Sequence, residues 1–456
     1  MTKKDNVQLF NKLRQSYPVF TYERFIILVE DNQLKLQFIF SLGNDIQFSP
    51  RIQISTGQST EALNHLLNTN SVLIRNIVFH IGLIELVSYW KSACSPRIEI
   101  KAGHLSPDQA EWFKELFYNG LGEFFYTNGI QVDASTFVTI QSSGKETFNP
   151  SDYHASDNSF VVPIGGGKDS AVSLQLLLNH NYKVVPLIMN PRQATLDTLR
   201  VAGLSEASAI IINRSIDPLL LKLNEQGFLN GHTPFSAMLA FYTLLAATLK
   251  GFKNIALSNE SSANEPTIPG TNINHQYSKT FEFEASFRHY YSRYITAGLN
   301  YFSFLRPLNE YRIMQIFSGF TQYHKVFRSC NVGSKTDSWC GSCSKCLFTH
   351  IMLSAFVGVK QADELIGASM LNDIRMQAVF EELTGQAIHK PFECVGTIDD
   401  VNNALNLIRQ NHDNLPLLLN NYSRQLPLFR ADMEHPLNDE HYVPNELIEI
   451  LKQALR

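Results

Sequence analysis

The residues with the clearest potential for chemistry are three consecutive glycines followed by a lysine, an aspartate and a serine. They form the run Gly165-Gly166-Gly167-Lys168-Asp169-Ser170, between the apolar residues 160–164 and a helical segment that starts at Ala171. Glycines let several backbone N–H groups converge on one point, and a helix N-terminus carries partial positive charge. The run therefore predicts a phosphate-binding loop, although a glycine-rich turn without a ligand would leave the same pattern.

Two common phosphate loops do not fit this run. A Walker A motif needs Ser or Thr after its lysine, whereas Asp169 follows Lys168, and the dinucleotide fingerprint needs a third glycine where Ser170 stands. The run instead resembles the pyrophosphatase loop, Ser-Gly-Gly-x-Asp-Ser, of the ATP pyrophosphatases. Gly165 replaces the first serine of that motif, which removes one hydroxyl contact to phosphate but leaves the turn intact.

This resemblance implies an enzyme that attacks the α-phosphate of ATP and releases pyrophosphate. Lys168 and the N–H groups of the loop, together with Mg²⁺, would neutralise charge on the phosphates, and Asp169 would act through the metal. The residues implied to bind ATP are Gly165, Gly166, Gly167, Lys168, Asp169 and Ser170.

A second signal comes from four of the six cysteines. Cys330, Cys340, Cys343 and Cys346 form a C-x9-C-x2-C-x2-C array. Thiolates at such short spacing can converge on one metal ion, and four soft thiolates favour Zn²⁺ in a closed, structural site. Disulfides or an iron–sulfur cluster are the alternatives. The pattern predicts structural zinc, because clustered C-x2-C pairs in a cytosolic chain argue against disulfides.

Composition bounds the class of protein. A chain of 456 residues with 44% hydrophobic and 18% charged residues predicts a packed protein of two or three units. The net charge of −4 provides no basic footprint for a nucleic acid, so no such partner is expected. No apolar signal core follows residues 1–6, and the nearest approach to a membrane span, residues 235–249, is short. The expected location is the cytoplasm, with no membrane partner.

The elements that must position these motifs fall into three predicted regions. Residues 1–150 mix strand-like and helical stretches, predicting an α+β N-terminal domain to which the sequence assigns no role. Residues 158–329 alternate short apolar runs with helices, which predicts an α/β fold with a parallel, twisted sheet covered by helices on both faces. Residues 330–456 are predicted to form the metal knuckle and a mostly helical region.

Ligands of parallel sheets bind beyond the carboxyl ends of the strands, which directs attention to the polar segments that follow them. We expect substrate-binding residues in segments 230–237, 258–265 and 272–279, and solvated loops are the alternative. Thr233 is also predicted to cap the helix that Pro234 starts. The predicted substrate-binding residues are Thr233, Asn259, Glu260, Asn264, His275 and Lys279.

A loop over residues 387–396 contains three titratable residues, His389, Glu393 and Cys394. Such a trio is ordinarily part of a surface loop, but in an active site it would supply a group for proton transfer. Cys394, His389, His275 and Lys279 are all chemically able to serve as the base, and Cys394 is the residue we select as catalytic, beside Lys168 and Asp169.

The two motifs together resemble known enzymes. Residues 160–350, which include Arg306-Pro307-Leu308-Asn309 and the cysteine array, are similar to the 7-deazaguanine nitrile synthases within the ATP pyrophosphatases. The whole layout looks more like the epimerase family that acts on UDP-N-acetylmuramoyl-L-alanyl-L-glutamate in peptidoglycan synthesis. That resemblance implies a PP-loop fold of the adenine nucleotide α-hydrolase type and a UDP-linked muropeptide substrate. It also implies adenylation of the terminal glutamate, inversion of its α-carbon, and release of AMP and diphosphate.

Two other functions compete with this hypothesis. One is a different adenylating enzyme, such as a nitrile synthase or a tRNA-modifying enzyme, although the acidic net charge disfavours a tRNA substrate. The other is a non-enzymatic module that binds zinc and nucleotide. The intact Lys168-Asp169-Ser170 run argues against the second alternative.

Overall fold

One sheet runs through the part of the chain that the computed structural model describes, which is residues 4–268, 270–430 and 437–456. Its strands are β1 (Val19–Glu30), β2 (Gln33–Leu42), β3 (Ile46–Phe48), β4 (Arg51–Ser55), β5 (Arg97–Ile100), β6 (Thr139–Ser142), β7 (Ser156–Pro163), β8 (Lys183–Met189), β9 (Ile210–Arg214), β10 (Phe252–Leu257) and β11 (Asn300–Ser303). In spatial order they are β11-β10-β7-β8-β9-β4-β2-β1-β5-β6, with β3 beside β2.

The sheet is parallel on one side and largely antiparallel on the other. Strands β7 to β11 pair in parallel, as predicted. Strand β4 pairs antiparallel with β9, with Ile54 opposite Ile212, and β2 and β1 continue antiparallel from there. The α/β class is therefore confirmed, but the sheet is mixed. The division into three domains stays a prediction. The sheet contains strands from both sides of the first predicted domain boundary, which lies between residues 150 and 158.

Helices cover both faces of the sheet. They are α1 (Val7–Ser16), α2 (Thr60–Thr69), α3 (Ser71–Trp90), α4 (Pro107–Gly120), α5 (Gly122–Thr127), α6 (Lys168–Asn179), α7 (Gln193–Val201), α8 (Pro218–Glu225), α9 (Phe235–Lys250), α10 (Phe281–Tyr294), α11 (Glu310–Gly319), α12 (Ser344–Val357), α13 (Val359–Ile366), α14 (Gln377–Thr384), α15 (Ile398–Asn411), α16 (Leu417–Tyr422) and α17 (Asn445–Ala454).

Alternation along the strands creates two separate cores. In β7, Val161 packs with α3 and α9 on one face, whereas Phe160 and Val162 pack with α6, α11 and α12 on the other. Successive side chains of a strand point to opposite faces, so a strand covered on both sides must be apolar throughout. This is why residues 160–163 of β7 and 184–189 of β8 form unbroken apolar runs.

Helix α3 is the described helix whose length and composition would suit a membrane span, in place of the shorter apolar stretch at residues 235–249. Within the fold, 83% of its most apolar window is buried. It packs on α9 and on strands β1 and β2. Its apolarity is thus accounted for by its place in the core, and the cytoplasmic location stays a prediction.

The cap predicted for α9 is wrong. The helix begins at Phe235, and Pro234 occupies the N-cap position without a side-chain cap. The Thr233 hydroxyl instead accepts a hydrogen bond of 2.6 Å from the Lys91 ammonium. The Thr233 side chain is thus directed at Lys91, and the N-cap position, whose side chain would accept from the first turn of the helix, is taken by Pro234.

A buried ion pair connects α3 to β9, the strand at which the parallel side of the sheet meets the antiparallel side. Arg214 at the end of β9 donates to Glu85 of α3 at 2.7 and 2.8 Å, and Tyr242 of α9 donates to the same carboxylate at 2.9 Å. The Glu85 side chain is 0% exposed. Removing one member of the pair would leave the other as a buried, unpaired charge. The pair therefore holds the elements together even where its net contribution to the free energy of unfolding is small.

We expect Glu85→Ala to lower the free energy of unfolding by about 3–5 kcal/mol, since it leaves the Arg214 guanidinium buried without its partner. The exposed pair between Arg75 and Glu146 is the matched control. Glu146→Ala should cost about 0–1 kcal/mol. Urea unfolding of both variants checks this, and equal costs would contradict it.

Candidate active site

The glycine loop connects β7 to α6 and takes the conformation that its sequence predicts. Gly167 is the N-cap of α6, and Gly166 has a φ of +79°. A Cβ atom on Gly166 would lie 3.0 Å from the Ala194 side chain, whereas a Cβ on Gly165 would meet nothing within 4 Å. Glycine is therefore required at Gly166 for both backbone and space, but at Gly165 a serine would fit.

The loop forms one wall of a cavity of about 340 Å³ at the carboxyl edge of the parallel strands. Pro163 at the end of β7 and Leu257 at the end of β10 lie in the wall. The cavity occupies the place that ligands of parallel sheets use. Its other polar lining residues include Lys168, Asp169, Ser170, Arg192, Ser258, Asn259, Glu260, Lys279, Glu310, Arg328, Lys345 and Cys394.

Lys168 is buried between two carboxylates. Its ammonium forms ion pairs with Asp169 and with Glu310, the first residue of α11. Burial alone would lower the Lys168 pKa, but the two carboxylates raise it above its ordinary value, so the residue is a fixed cation. The Lys168 ammonium is thus held at the start of α6, where it adds to the positive end of the helix.

Acidic groups crowd the same wall. Burial raises the pKa of Glu260 and of Glu310, and the neighbouring Asp169 carboxylate raises both further. Carboxylates brought together in this way repel one another unless a cation lies among them. Oxygen donors of this kind are the ligands that Mg²⁺ takes in phosphate-handling sites. In this structure the cation between two of these carboxylates is the Lys168 ammonium.

Arg306 gives the Arg306-Pro307-Leu308-Asn309 segment a structural role. Its side chain is fully buried and donates to the carbonyl oxygens of Glu260 and Lys279 and, at 3.2 Å, to the Glu284 carboxylate. One guanidinium thus ties together the two backbone segments that carry Glu260 and Lys279. Arg306 thus positions these two segments, although its own side chain is not among those that line the cavity.

Cys394, which is far from the glycine loop in sequence, also lies in the cavity wall. The groups around it are cationic. Burial alone would raise the pKa of its thiol, but Lys279, Lys345 and the His275 imidazole lower it well below its ordinary value. Conversely, Cys394 raises the pKa of Lys279 against the effect of burial. These cationic groups thus favour the thiolate form of Cys394.

The predicted substrate residues divide into two groups. Asn259, Glu260 and Lys279 line the cavity. Thr233 lies in a neighbouring cavity with Lys91 and Arg214, and Asn264 lines a third, where its side chain accepts a hydrogen bond from the Phe281 N–H. His275 is outside the lining, but its imidazole contacts the Glu123 carboxylate and lies beside the Cys394 thiol.

Several lining residues escaped the sequence analysis. Glu310 directly follows Asn309, which caps α11 by accepting from the Arg312 N–H at 2.9 Å. That cap signal could have placed Glu310 in the first turn of a helix that starts after a strand. Lys345 lies inside the cysteine array. Because it is far from the glycine loop in sequence, its place in the cavity wall could not be predicted.

The four cysteines of the array converge as the spacing predicts. Cys330 and Cys343 have their sulfur atoms 4.0 Å apart, and those of Cys340 and Cys346 are 3.7 Å apart. A tetrahedral site with Zn–S bonds of about 2.3 Å places its sulfurs about 3.8 Å apart. The N–H groups of Gly333 and Cys340 point at the Cys330 sulfur, as in sites where the backbone supports the ligands. The cluster is therefore able to bind a metal ion such as zinc.

Comparison with known proteins places this geometry in a family. Residues 11–304 match the MurL N-terminal domain, and residues 326–428 match the MurL C-terminal domain. The chain belongs to the MurL family. The first match covers the sheet and the glycine loop, and the second covers the cysteine array and Cys394. No solved structure matches the chain.

Three relatives of this MurL chain are each named UDP-N-acetyl-alpha-D-muramoyl-L-alanyl-L-glutamate epimerase. The protein of Xanthomonas oryzae pv. oryzae is 34% identical over 72% of this chain and 73% of its own length. That of Salinispora tropica is 34% identical over 72% of each chain. That of a Micromonospora species is 32% identical over 72% of this chain and 74% of its own.

The loop geometry predicts a difference between two neighbouring glycines. Gly166→Ala should weaken ATP binding at least tenfold, because a left-handed backbone costs a residue with a Cβ about 1–2 kcal/mol and the added atom crowds Ala194. Gly165→Ala is the matched control and should bind ATP as the wild type does. Calorimetric titration with ATP and Mg²⁺ measures both, and equal affinities would show that the loop does not hold the phosphates.

Proposed function

We propose that this protein is an ATP-dependent epimerase that converts UDP-N-acetylmuramoyl-L-alanyl-L-glutamate to its D-glutamate form. The observation that carries the proposal is that Cys394, from the C-terminal part of the chain, lines the same cavity as Lys168 and Asp169 of the glycine loop. A group able to move a proton therefore faces the place where phosphate chemistry would occur. The names of the three relatives support the substrate.

The chemistry explains why both groups are needed. The α-proton of glutamate is very weakly acidic, because the neighbouring carboxylate already carries negative charge that opposes a carbanion. Attack of that carboxylate on the α-phosphate of ATP would release diphosphate and give an acyl-adenylate without that charge. The α-carbon can then lose its proton and regain one on the other face, and hydrolysis releases AMP and the inverted product.

The phosphates of ATP would lie against the loop N–H groups, Lys168 and the start of α6. Asp169, Glu260 and Glu310 are the residues that would hold Mg²⁺, which neutralises phosphate charge when bound. With ATP present, Lys168 exchanges part of its interaction with the two carboxylates for the phosphates. Such an arrangement would match the one that the resemblance to the ATP pyrophosphatases implies, and the parallel pairing of strands β7 to β11 is compatible with a PP-loop fold.

Cys394 is the base that the surroundings favour. The pKa of His275 is raised to about 9 by Cys394 and Glu123 against the effect of burial, and that of Lys279 is raised as well. Both are therefore protonated near neutral pH and cannot accept a proton. His389 hydrogen-bonds the Lys390 carbonyl and is not a lining residue. Lys279 is better suited to neutralise charge on the activated glutamate.

The cysteine cluster would hold a structural zinc ion. Four thiolates fill a tetrahedral shell and leave no open position for water or substrate. Its role would be to fix the start of α12, because Cys343 is the N-cap and Cys346 lies in the first turn. That turn carries Lys345 into the cavity.

The proposed reaction predicts a strict dependence on Lys168. With ATP and UDP-N-acetylmuramoyl-L-alanyl-L-glutamate, the wild-type protein should release diphosphate and AMP and form D-glutamate, detected by chiral analysis after hydrolysis. Lys168→Ala should lower both activities at least 100-fold, because an electrostatic contact to the reacting phosphates is typically worth that much. Lys222→Ala, at an exposed lysine of α8, is the control. Epimerisation that proceeds without ATP would refute the proposal.

The metal site has its own test. Freshly purified protein should contain about one equivalent of zinc and no iron. Cys343→Ser should lose the metal, and Cys394→Ser should keep it, since Cys394 is outside the cluster. Elemental analysis measures both variants, and a zinc content below half an equivalent in the wild type would exclude a resident zinc ion.

A further inference from the structure

Three side chains that are far apart in sequence meet beside the cavity. The Nδ1 atom of His275 pairs with the Glu123 carboxylate of α5. The imidazole also lies beside the Cys394 thiol, and a hydrogen bond between their sequence neighbours Gln276 and Val395 joins the two segments. The Glu123 side chain is 8% exposed and that of His275 is 16% exposed. The order carboxylate, imidazole, thiol is the one in which an imidazole stabilises an ionised sulfur and a carboxylate orients the imidazole.

The surroundings hold this array in place. The His275 backbone N–H donates to the Thr267 hydroxyl at 3.0 Å, and the neighbouring Gln276 side chain donates to the Val395 carbonyl at 3.4 Å. The second contact ties the segment of His275 to that of Cys394. Glu123 is also met by His232, whose Nδ1 lies 3.2 Å from the same carboxylate oxygen.

The charges around the array favour one protonation state. Burial and the nearby His275 lower the pKa of His232 to about 4, so that ring is neutral and His275 is the imidazolium that Glu123 stabilises. Lys279 and Lys345 face the sulfur from other elements, and Glu393 is the carboxyl group beside it, with its pKa raised by burial. The sulfur therefore faces three cations.

We infer that Glu123 and His275 position Cys394 and hold its sulfur ionised, so that Cys394 removes the α-proton of the activated glutamate. This inference rests on the function proposed above. In the step, the Cα–H bond breaks, its proton joins the Cys394 sulfur, and its electron pair becomes the enolate of the acyl-adenylate. His275 stays protonated and Glu123 stays ionised; both are positioning residues. A water molecule donates the proton that re-forms the Cα–H bond on the opposite face of the enolate, and the hydroxide left behind takes the proton of the Cys394 thiol, which restores the thiolate.

The position of Glu123 also gives residues 1–150 a role in proton transfer. Glu123 lies in α5, and it is the carboxylate that orients the imidazole. The N-terminal region would thus complete the proton-transfer half of the site, while the glycine loop supplies the phosphate half. Separate variants can therefore remove one half and leave the other.

The first experiment needs no substrate. The rate at which iodoacetamide alkylates Cys394 is followed against pH by mass spectrometry of the peptide that contains it. In the wild type the rate should already be at its plateau near pH 7, below the ordinary thiol pKa of about 8.5. Glu123→Gln and His275→Gln should move the inflection upward by roughly one pH unit or more, a tenfold loss of thiolate below it. His389→Gln, in the same loop, is the matched control and should not move it.

The second experiment separates the two halves of the reaction. With ATP and the muropeptide in deuterium oxide, Glu123→Gln and His275→Gln should release diphosphate at near wild-type rates. Their incorporation of deuterium at the α-carbon should fall about 100-fold, a typical contribution of acid–base catalysis. Part of that loss should be recovered at pH 9, where the thiol ionises without help; a merely structural defect would give no such recovery. Cys394→Ser should adenylate but not exchange.

The results that overturn the inference are distinct from those that overturn the function. An unchanged alkylation profile in His275→Gln would refute the array even if the enzyme is an epimerase. Exchange by Cys394→Ser at the wild-type rate would refute Cys394 as the base, and a substrate adduct on Cys394 would make it a nucleophile instead. A second metal equivalent lost in Glu123→Gln would make Glu123, His232 and His275 a metal site. If the wild type releases no diphosphate, the function fails while the alkylation result still stands.

Discussion

The pairing of β4 with β9 is the contact on which the arrangement of this protein depends. Through it, the antiparallel strands of the first 60 residues continue the parallel sheet that carries the glycine loop. Arg214, the last residue of β9, then fixes α3 through the buried Glu85 carboxylate. Because a sheet and a buried ion pair tolerate little displacement, elements near the N-terminus are held at a defined distance from the cavity. Helix α5, with Glu123, is one of these.

The cavity balances buried charges of both signs. Its walls carry the acids Asp169, Glu260 and Glu310 and several lysines and arginines. Burial of charge is costly unless each group finds a partner, and here the ion pairs of Lys168 provide it. Anionic ligands and a divalent cation can enter such a site by exchanging partners instead of creating new unpaired charges. This makes the site adaptable to phosphate groups without loss of its fold.

The cysteine cluster and the Cys394 loop form the other side of the site. Cys330 lies in the cavity wall, and Asn331 next to it donates to the Glu393 carboxylate. The segment that holds the metal ligands thus also holds the residue before Cys394. A metal ion that orders the cluster would in this way order the thiol, although it is not itself exposed to the reaction.

The features that could be predicted from the sequence are those that depend on residues close together in the chain. The glycine turn, the cysteine spacing and the apolar runs are local patterns, and they correctly predicted the convergence of the four cysteines, the parallel pairing within strands β7 to β11 and the α/β class. The packing of the whole chain, in contrast, directs Thr233 to Lys91 and brings Glu310 into the cavity. It also places His275 against Glu123, 152 positions earlier in the chain, and beside Cys394. Short-range patterns set helices and strands, but contacts over more than 100 residues depend on how all the elements pack, which no local pattern encodes.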